Sequence, residues 1–424
     1  MNRYQDILGR INYGLFIAVA VLLPYPQICL RYAIVIWFIT WLLEGRWLKI
    51  ENLKSQISNW KYIVPIVLFA LWFGYKLLSG LWAANMEAWH AQIERYLSFG
   101  LMLPVGLWGV SKHYDWKKAG RIFVISCMVA IPVYMLWMTF LYKHPEQLDS
   151  WLQKSNHPYT PVDGWLEFVS EYISLFKHRL FFCSVELFGA VMAWLVYRKK
   201  PFVLISALVL TLSAIPLTGS RQSILTFAAL LAIVLIYSLP HRYRWRYGLG
   251  ILLAGIMIGG GLLTFHPRMQ EFNYKAITEM RDVSYMHDAR LNIWGTALQH
   301  PQDYIAHGLG AGQSWVYLIE RYNELGLTYY AQAEYNCHNQ YLEELLEGGI
   351  LGLVLFLLAW FSIPNCARTQ NREFAWLFVM LFLFNMMTEC VFGRFDGIAI
   401  WSVGFIFILA QSYVQSEDQA PRNT

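Results

Sequence analysis

Long apolar runs, separated by short polar segments, dominate the hydrophobicity pattern of the chain. A helix needs about 20 mostly apolar residues to cross the roughly 30 Å hydrocarbon core of a bilayer. Suitable runs lie at about 11–27, 28–44, 62–83, 96–111, 120–142, 179–197, 201–218, 221–239, 247–265, 341–363, 373–391 and 396–414. The pattern therefore predicts an all-α polytopic membrane protein with about twelve transmembrane helices.

The polar segments between these runs divide the chain into four parts. Residues 1–265 hold helices one to nine, with an outer loop at about 143–176 whose prolines and polar residues indicate partial helix. Residues 266–340 form a large, partly helical loop before helix ten, and a loop of that length is usually functional. Residues 341–414 hold helices ten to twelve, and 415–424 form a polar cytoplasmic tail. We interpret the first run as a retained helix because no small-residue cleavage site follows it.

Lysine and arginine set the predicted orientation, because short cytoplasmic loops retain them. They cluster at residues 112–121, 198–200 and 242–246, which all fall on one side of the predicted bundle together with the N-terminus. The loops at 143–176 and 266–340 then face outward. The net charge of +5 follows from this bias and gives no reason to expect a nucleic-acid partner. Composition agrees, since 57% hydrophobic and 14% charged residues lie far outside the soluble range.

Cysteine spacing and short motifs exclude several classes of function. The six cysteines show no CxxC pair and lie mostly in or beside predicted helices, so we interpret them as isolated core residues without disulfides. HExxH, P-loop, GxGxxG and GxSxG motifs do not occur in a usable context. The outer loops contain no carboxylate cluster with ligand spacing. The sequence thus predicts no metal and no cofactor.

Arg221 opens a helix at the outer membrane boundary, in the stretch LTGSRQSILTF. One interpretation is an arginine that only snorkels toward the headgroups. The other is an anion site, because outer arginines are scarce and a helix N-terminus already carries positive potential. A diphosphate is the natural anion for such a site.

Arg290 occupies a similar position in the long loop. The segment DVSYMHDARLNIWGTALQHP predicts a short amphipathic helix that begins near Arg290. Its apolar residues at helical spacing are Leu291, Trp294, Ala297 and Leu298. A salt bridge to Asp282 or Asp288 is the alternative to anion binding. HGLGAGQSW follows, and its glycines permit tight turns.

His338 stands just before the tenth predicted helix, in YNCHNQYLEELLEGGILG. Helical spacing puts it on one face with Tyr341, Leu342, Leu345, Gly349 and Gly352. A histidine at a membrane interface is often only a hydrogen-bonded structural residue. Near two arginines that hold a phosphate leaving group, however, it is a candidate base for transfer of a glycosyl group to a hydroxyl.

The run HNQYLEELLEGGILG resembles the H-N-x-Y-L-x-x-L-x-E-x-G-x-x-G signature of the O-antigen ligase and polymerase superfamily (Wzy_C type). GSR, and ARLNIWGTAL followed by HGLGAG, are similar to that family's two arginine motifs in the same order. The resemblance covers about 201–362, and the rest of the chain only by topology and length. Within the superfamily the chain is most similar to the lipopolysaccharide O-antigen ligases.

The resemblance implies an inverting, metal-independent, GT-C-like glycosyl transfer at the periplasmic face of the bacterial inner membrane. Arg221 and Arg290 would bind the diphosphate of an undecaprenyl diphosphate-linked glycan donor. His338 would act as base or orienter for a hydroxyl of the lipid A-core acceptor. Besides these two substrates, the expected partners are membrane lipids.

Secondary candidates come from the same motifs and from one further helix start. Glu347 matches the family's glutamate and is expected to face the cavity and to hold His338 or an arginine. The others are Asn339, Tyr341, His178 and Arg179. We interpret Glu343 and Glu344 as solvated.

Three classes of function stay open at this point. The ligase is favoured by the length, the twelve helices and the single large loop before helix ten. An O-antigen polymerase or a protein O-oligosaccharyltransferase is the alternative, although the latter often carries a further C-terminal periplasmic domain. A transporter for the lipid-linked glycan would need no base, and the sequence suggests neither inverted repeats nor paired broken helices.

Overall fold

The described part of a computed structural model of the protein is helical and contains no strand. It comprises residues 3–48, 60–155, 164–238, 250, 253, 290–367 and 372–417. The α-helices are α1 (Arg3–Leu22), α2 (Gln27–Glu44), α3 (Trp60–Leu78), α4 (Met86–Trp108), α5 (Trp116–Lys143), α6 (Pro145–Ser155), α7 (Trp165–Tyr172), α8 (Arg179–Tyr197), α9 (Pro201–Leu212), α10 (Ala214–Thr218), α11 (Arg221–Ser238), α12 (Arg290–Leu298), α13 (Gln313–Glu324), α14 (Thr328–Gln332), α15 (Gln340–Cys366), α16 (Arg372–Met386) and α17 (Phe395–Glu417).

Seven helical segments in the described ranges are long and apolar enough to cross a membrane. They are Arg3–Leu22, Gln27–Glu44, Trp60–Leu81, Trp116–Lys143, Arg179–Tyr197, Pro201–Thr218 and Gln340–Cys366. The chain is therefore an all-α polytopic membrane protein, as the sequence predicts. Helices α4, α11, α16 and α17 cover four more of the predicted spans, and the span predicted at 247–265 lies outside the described residues.

Two predicted boundaries at the N-terminal end of the chain are wrong. The first helix ends at Leu22 rather than near residue 27, because Pro24 and Pro26 lie in the turn and cannot continue it. Helix α4 begins at Met86, ten residues before the predicted run at 96, where Asn85 caps it by accepting a hydrogen bond from the backbone N–H of Ala88. The apolar run in the sequence does not include the first turns of this helix because they are polar, although they are helical.

The chain forms two compact units, each of which combines two separate stretches of the sequence. The first consists of Met1–Thr40 and His113–Glu271. Helix α8 forms its core and packs on α5 through small residues: a Cβ at Gly189 would lie 2.9 Å from the Cys127 sulfur, and one at Gly120 would lie 2.9 Å from the Met192 sulfur. Such glycines allow close approach of membrane helices. The predicted outer loop at 143–176 is partly helical here, with α6 and α7.

The second unit consists of Trp41–Lys112 and Phe272–Thr424. Helices α3 and α15 pack along each other, and aromatic rings fill the space between them and α17. The Phe69 and Trp401 ring centroids are 5.0 Å apart, and those of Trp360 and Phe382 are 4.9 Å apart. These edge and tilted contacts stabilise the packing beyond simple area burial.

Helix α16 ends at Met386, five residues earlier than the predicted span at 373–391. Tight turns follow, in which the backbone N–H groups of Met387 and Thr388 donate to the carbonyls of Phe384 and Asn385. The backbone N–H of Phe392 donates to Oε1 of Gln340 at 2.7 Å. Residues 387–394 therefore form a loop between α16 and α17, and Glu389 lies on that loop instead of inside a span.

Helix α15 is interrupted at Gly349, whose φ of 60° and ψ of −164° are not helical. The backbone N–H of Ile350 donates to the Ile305 carbonyl at 2.9 Å rather than to the carbonyl of residue 346. The Leu346 and Glu347 carbonyls accept instead from the backbone N–H groups of Leu309 and Gly310, at 2.8 and 2.9 Å. The segment 305–310 thus takes over the hydrogen bonds that the break releases, as irregular backbone in a membrane segment requires.

Glycine is required on both sides of this junction. A Cβ at Gly308 would lie 2.3 Å from the Glu347 carbonyl oxygen, and one at Gly349 would lie 2.8 Å from the Gly308 nitrogen. Both residues also have positive φ, which L side chains rarely adopt. The HGLGAG and EGG motifs are therefore the two halves of one backbone-to-backbone contact.

We predict that Gly349→Ala strongly destabilises the protein, because the substitution combines a backbone strain of about 1–3 kcal/mol with a clash against 305–310. Gly352→Ala is the matched control in the same helix, since its Cβ would make an ordinary contact of 3.5 Å with the Tyr75 ring. Melting temperature in detergent checks the pair. Equal melting temperatures for both variants would contradict the role assigned to Gly349.

Candidate functional site

His338 lies outside helix α15. Asn339 caps the helix by accepting hydrogen bonds from the backbone N–H groups of Tyr341 and Leu342 at 2.9 and 3.2 Å, so the first helical residue is Gln340. His338 has a φ of 43°, in the left-handed region, and its backbone N–H donates to Oδ1 of Asn336 at 3.0 Å. The prediction that His338 shares a helix face with Tyr341 and Gly349 is wrong for this reason. A non-glycine residue held in this conformation is typical of functional sites.

The imidazole of His338 faces a buried carboxylate. Nδ1 lies 3.4 Å from Oε1 of Glu389, whose side chain is 5% exposed, against 23% for His338. Nδ1 makes no hydrogen bond to the described residues, so the imidazole and the carboxylate are close but not aligned for a hydrogen bond. Catalytic hydrogen bonds are often loose before substrate binds.

Tyr335 packs on the same imidazole, with 5.9 Å between the ring centroids. Burial, together with the hydrogen bond to Tyr329, raises the pKa of Tyr335 to about 12. Its phenol is therefore protonated at neutral pH and cannot serve as the base beside His338.

Arg290 is the first residue of α12, and its Nε donates to the Thr388 carbonyl at 3.4 Å. Trp294, one turn further along α12, donates from its indole nitrogen to the Cys337 carbonyl at 3.0 Å. Arg290 and His338 thus contact the consecutive residues Thr388 and Glu389. The structure brings together the second predicted arginine and the predicted base.

The predicted apolar face of α12 is right for two of its four residues. Ala297 is buried and Trp294 packs against the core, whereas Leu291 and Leu298 are 66% and 50% exposed. Ile293, which was not predicted, is buried in their place. Leu291 therefore points away from the core.

Asn339 and Tyr341 hold the start of α15 in place. Besides the Asn339 cap, the hydroxyl of Tyr341 donates to the Leu383 carbonyl on α16 at 2.6 Å. These contacts give both residues a positioning role next to His338. Direct contact of either with a substrate stays a prediction.

The sequence suggested that Glu347 holds His338 or an arginine, but among the described residues its charged partner is a buried lysine. Its Oε2 accepts from Nζ of Lys76 at 2.8 Å. Its Oε1 accepts from the backbone N–H of Gly312 at 2.8 Å and from the hydroxyl of Ser314 at 2.9 Å. Glu347 therefore joins α3, α13 and α15.

The neighbouring glutamates are buried as well, so interpreting them as solvated was wrong. Oε2 of Glu344 lies 3.0 Å from Nζ of Lys76 and accepts from the indole of Trp72 at 2.8 Å. Gln340 donates through Nε2 to Glu343 at 2.8 Å and to Glu344 at 3.0 Å. The polar side chains in the first turns of α15 thus form a buried hydrogen-bonded network, which supplies the partners that buried charges require.

The remaining candidates lie in the other compact unit. Arg221 begins α11 two residues after Gly219, which ends α10 with a φ of 57°, and Arg179 begins α8 after His178. The thiol of Cys183 in α8 lies 2.9 Å from the hydroxyl of Thr218. The N-terminal turns of α8 and α11 are therefore neighbours within this unit, and each begins with an arginine.

The sequence analysis did not single out several buried ionisable residues, among them Lys76, Glu186 and Glu389. Each interrupts an otherwise apolar run, which in a membrane segment is itself a signal of function or of a partner nearby. The described residues contain no group of three His, Cys, Asp or Glu side chains that could hold a metal ion. Independence from metal stays a prediction.

Residues 187–357 match the family model described as O-antigen ligase. The match includes Arg221, Arg290, His338 and the junction at Gly349. No curated protein matches the chain. The match confirms the resemblance of this region of the chain to the O-antigen ligase and polymerase superfamily.

We predict that Lys76→Met destabilises the protein by about 3–5 kcal/mol, because it leaves two buried carboxylates without their cation. Lys61→Met is the matched control, an exposed lysine on the same helix. Adding Glu344→Gln to Lys76→Met should recover part of the loss. Melting temperatures in detergent check this, and a Lys76→Met variant as stable as the control would contradict the network.

Proposed function

We propose that this protein is an O-antigen ligase of the bacterial inner membrane. It would transfer a glycan from undecaprenyl diphosphate to a hydroxyl of lipid A-core oligosaccharide at the periplasmic face. One observation carries the proposal: Arg290 and His338 contact the adjacent residues Thr388 and Glu389. A cation for the leaving diphosphate and a base for the acceptor hydroxyl are thereby held by one short loop.

His338 acts as the base in this proposal. It takes the proton from the acceptor hydroxyl through Nε2, while Glu389 beside Nδ1 stabilises the imidazolium that forms, in the manner of a base and its orienting carboxylate. The acceptor oxygen then forms a bond to the anomeric carbon. The bond from that carbon to the diphosphate oxygen breaks, and attack from the opposite side inverts the configuration.

Undecaprenyl diphosphate leaves with the negative charge that the broken bond releases. Arg290 stabilises this charge, and Arg221, the first arginine of the family motifs, is the other proposed diphosphate ligand. A guanidinium can bind phosphate oxygens in pairs without a metal ion. Charge stabilisation of this kind is usually the largest single contribution to catalysis.

The break in α15 favours a transferase over a transporter. Transporters use discontinuous helices whose free ends face the substrate. At Gly349 the free backbone groups instead bond to residues 305–310 of the same chain. The break is therefore a fixed backbone contact between α15 and residues 305–310, and not an open substrate site.

The glycolipids of a strain that lacks the gene test the function. The ligase predicts lipid A-core without polymer and full-length polymer accumulated on its lipid carrier. A single repeat on the core would indicate a polymerase instead. Unchanged lipopolysaccharide with unglycosylated secreted proteins would indicate a protein O-oligosaccharyltransferase.

We predict that His338→Ala reduces transfer by about 10²- to 10⁴-fold, the usual contribution of a positioned base, and leaves donor binding intact. Glu389→Gln should reduce transfer less, because it keeps the side-chain shape but removes the charge. Glu320→Gln, an exposed glutamate on α13, is the control. Rates and donor affinity of purified proteins check this. Loss of donor binding in His338→Ala would make His338 a diphosphate ligand and not a base.

We predict that Arg221→Lys and Arg290→Lys are nearly as inactive as the alanine variants, because an ammonium cannot reproduce a two-pronged phosphate contact. Arg321→Lys is the control, since Arg321 pairs with Asp303 and Glu324 and a lysine can keep such ion pairs. Transfer assays at equal expression check this. Full activity of either lysine variant would contradict two-pronged phosphate binding and show that a positive charge alone is enough at that position.

A further inference from the structure

Two cysteines lie next to the proposed base and its carboxylate. Cys337 directly precedes His338, and Cys390 directly follows Glu389. Both are free thiols, each 1% exposed, and both belong to one hydrophobic cluster of the second unit. Their side chains are hydrogen-bonded to each other. The sequence spacing suggests isolated cysteines, but the fold brings these two together from distant parts of the chain.

Further contacts hold the two segments that carry these cysteines. The Cys337 carbonyl accepts from the indole nitrogen of Trp294 at 3.0 Å. The backbone N–H of Cys390 donates to Oε1 of Glu389 at 3.2 Å, and the same oxygen lies 3.4 Å from Nδ1 of His338. The segments therefore meet at two neighbouring pairs of side chains, thiol with thiol and imidazole with carboxylate.

Paired cysteines can hold a metal ion, exchange thiols with other proteins or form a disulfide. Within the described ranges, no group of three His, Cys, Asp or Glu side chains could hold a metal ion. Thiol exchange needs an accessible thiolate, whereas burial raises the pKa of the Cys390 thiol well above its usual range. A disulfide needs the two sulfurs to meet only once, while the chain folds, and burial then protects the bond from reductants.

The proposed function places both cysteines at the periplasmic face, in a compartment where disulfides form and persist. We infer that Cys337 and Cys390 form a structural disulfide that joins the segment of His338 to the loop of Glu389. This inference rests on the proposed function for the compartment. The bond holds the imidazole and the carboxylate side by side while large substrates enter and leave.

Formation of the bond removes two electrons and two protons from the two thiols. The oxidant is the disulfide of a thiol–disulfide oxidoreductase, which acts before the cysteines are buried. The thiolate of one cysteine attacks that disulfide and forms a mixed disulfide. The thiolate of the other cysteine attacks the mixed disulfide, which forms the Cys337–Cys390 bond and releases the oxidoreductase with two thiols.

Mapping the cysteines of the natural protein tests the inference without any variant. The protein is denatured with N-ethylmaleimide and no reductant, digested, and analysed by mass spectrometry. We expect a cross-linked peptide pair that contains Cys337 and Cys390, both of which become alkylated only after reduction. Cys127 and Cys183 are buried internal controls that should be alkylated without reduction. Alkylation of Cys337 and Cys390 to the same extent as these controls would overturn the inference.

Melting temperatures in detergent test the same bond by substitution. Cys337→Ala, Cys390→Ala and the double variant should all melt about 5 °C or more below the natural protein, because loss of either sulfur breaks the same cross-link. Cys366→Ala is the matched control, a buried cysteine of the same unit whose thiol donates to the Tyr62 carbonyl at 3.2 Å. Its loss should add to that of Cys337→Ala. Losses that add between Cys337→Ala and Cys390→Ala would overturn the inference.

Transfer assays on the mapped preparation separate the inference from the function on which it rests. Active protein in which both thiols are free would overturn the disulfide and leave the proposed function standing. Cross-linked cysteines in a protein that transfers no glycan would support the disulfide and overturn the proposed function instead.

Discussion

The break at Gly349 creates unpaired backbone groups inside a membrane helix, and the rest of the second unit depends on how they are satisfied. Each such group left alone in hydrocarbon would cost several kcal/mol. Residues 305–310 supply the missing partners, and Gly312 and Ser314, just beyond them, bond to Glu347. Through Glu347 the same segment reaches Lys76 on α3. The loop, the two membrane helices and the buried charges are therefore held in one arrangement.

This arrangement has a consequence for the site. The first half of α15 carries the Asn339 cap, which places His338 immediately outside the helix in a left-handed conformation. The loop after α16 is fixed by Gln340, whose side chain accepts from the backbone N–H of Phe392. Glu389 is thereby brought to the imidazole, and Thr388 to Arg290. His338, Glu389 and Arg290 are therefore positioned by hydrogen bonds between backbone groups and buried side chains.

Much of this could be predicted from the sequence, because the physical signals are local. Apolar runs locate most of the helices, and Arg290 begins α12 as its motif suggests. The partners of the buried charges could not be predicted, since Lys76 and Glu347 are far apart in sequence and only the packing of α3 on α15 joins them. Glu389 was missed because the apolar run in the sequence continues to residue 391, so the sequence predicts a helix there. Hydrogen bonds to other parts of the fold instead form a turn after Met386.

Glycan transfer by the purified protein tests the central claim most directly. The protein in liposomes would receive an undecaprenyl diphosphate-linked glycan and lipid A-core, and the product would be analysed for linkage and anomeric configuration. The account predicts glycan joined to lipid A-core with inverted configuration and release of undecaprenyl diphosphate. Passage of intact donor across the bilayer with no transferred glycan would contradict it.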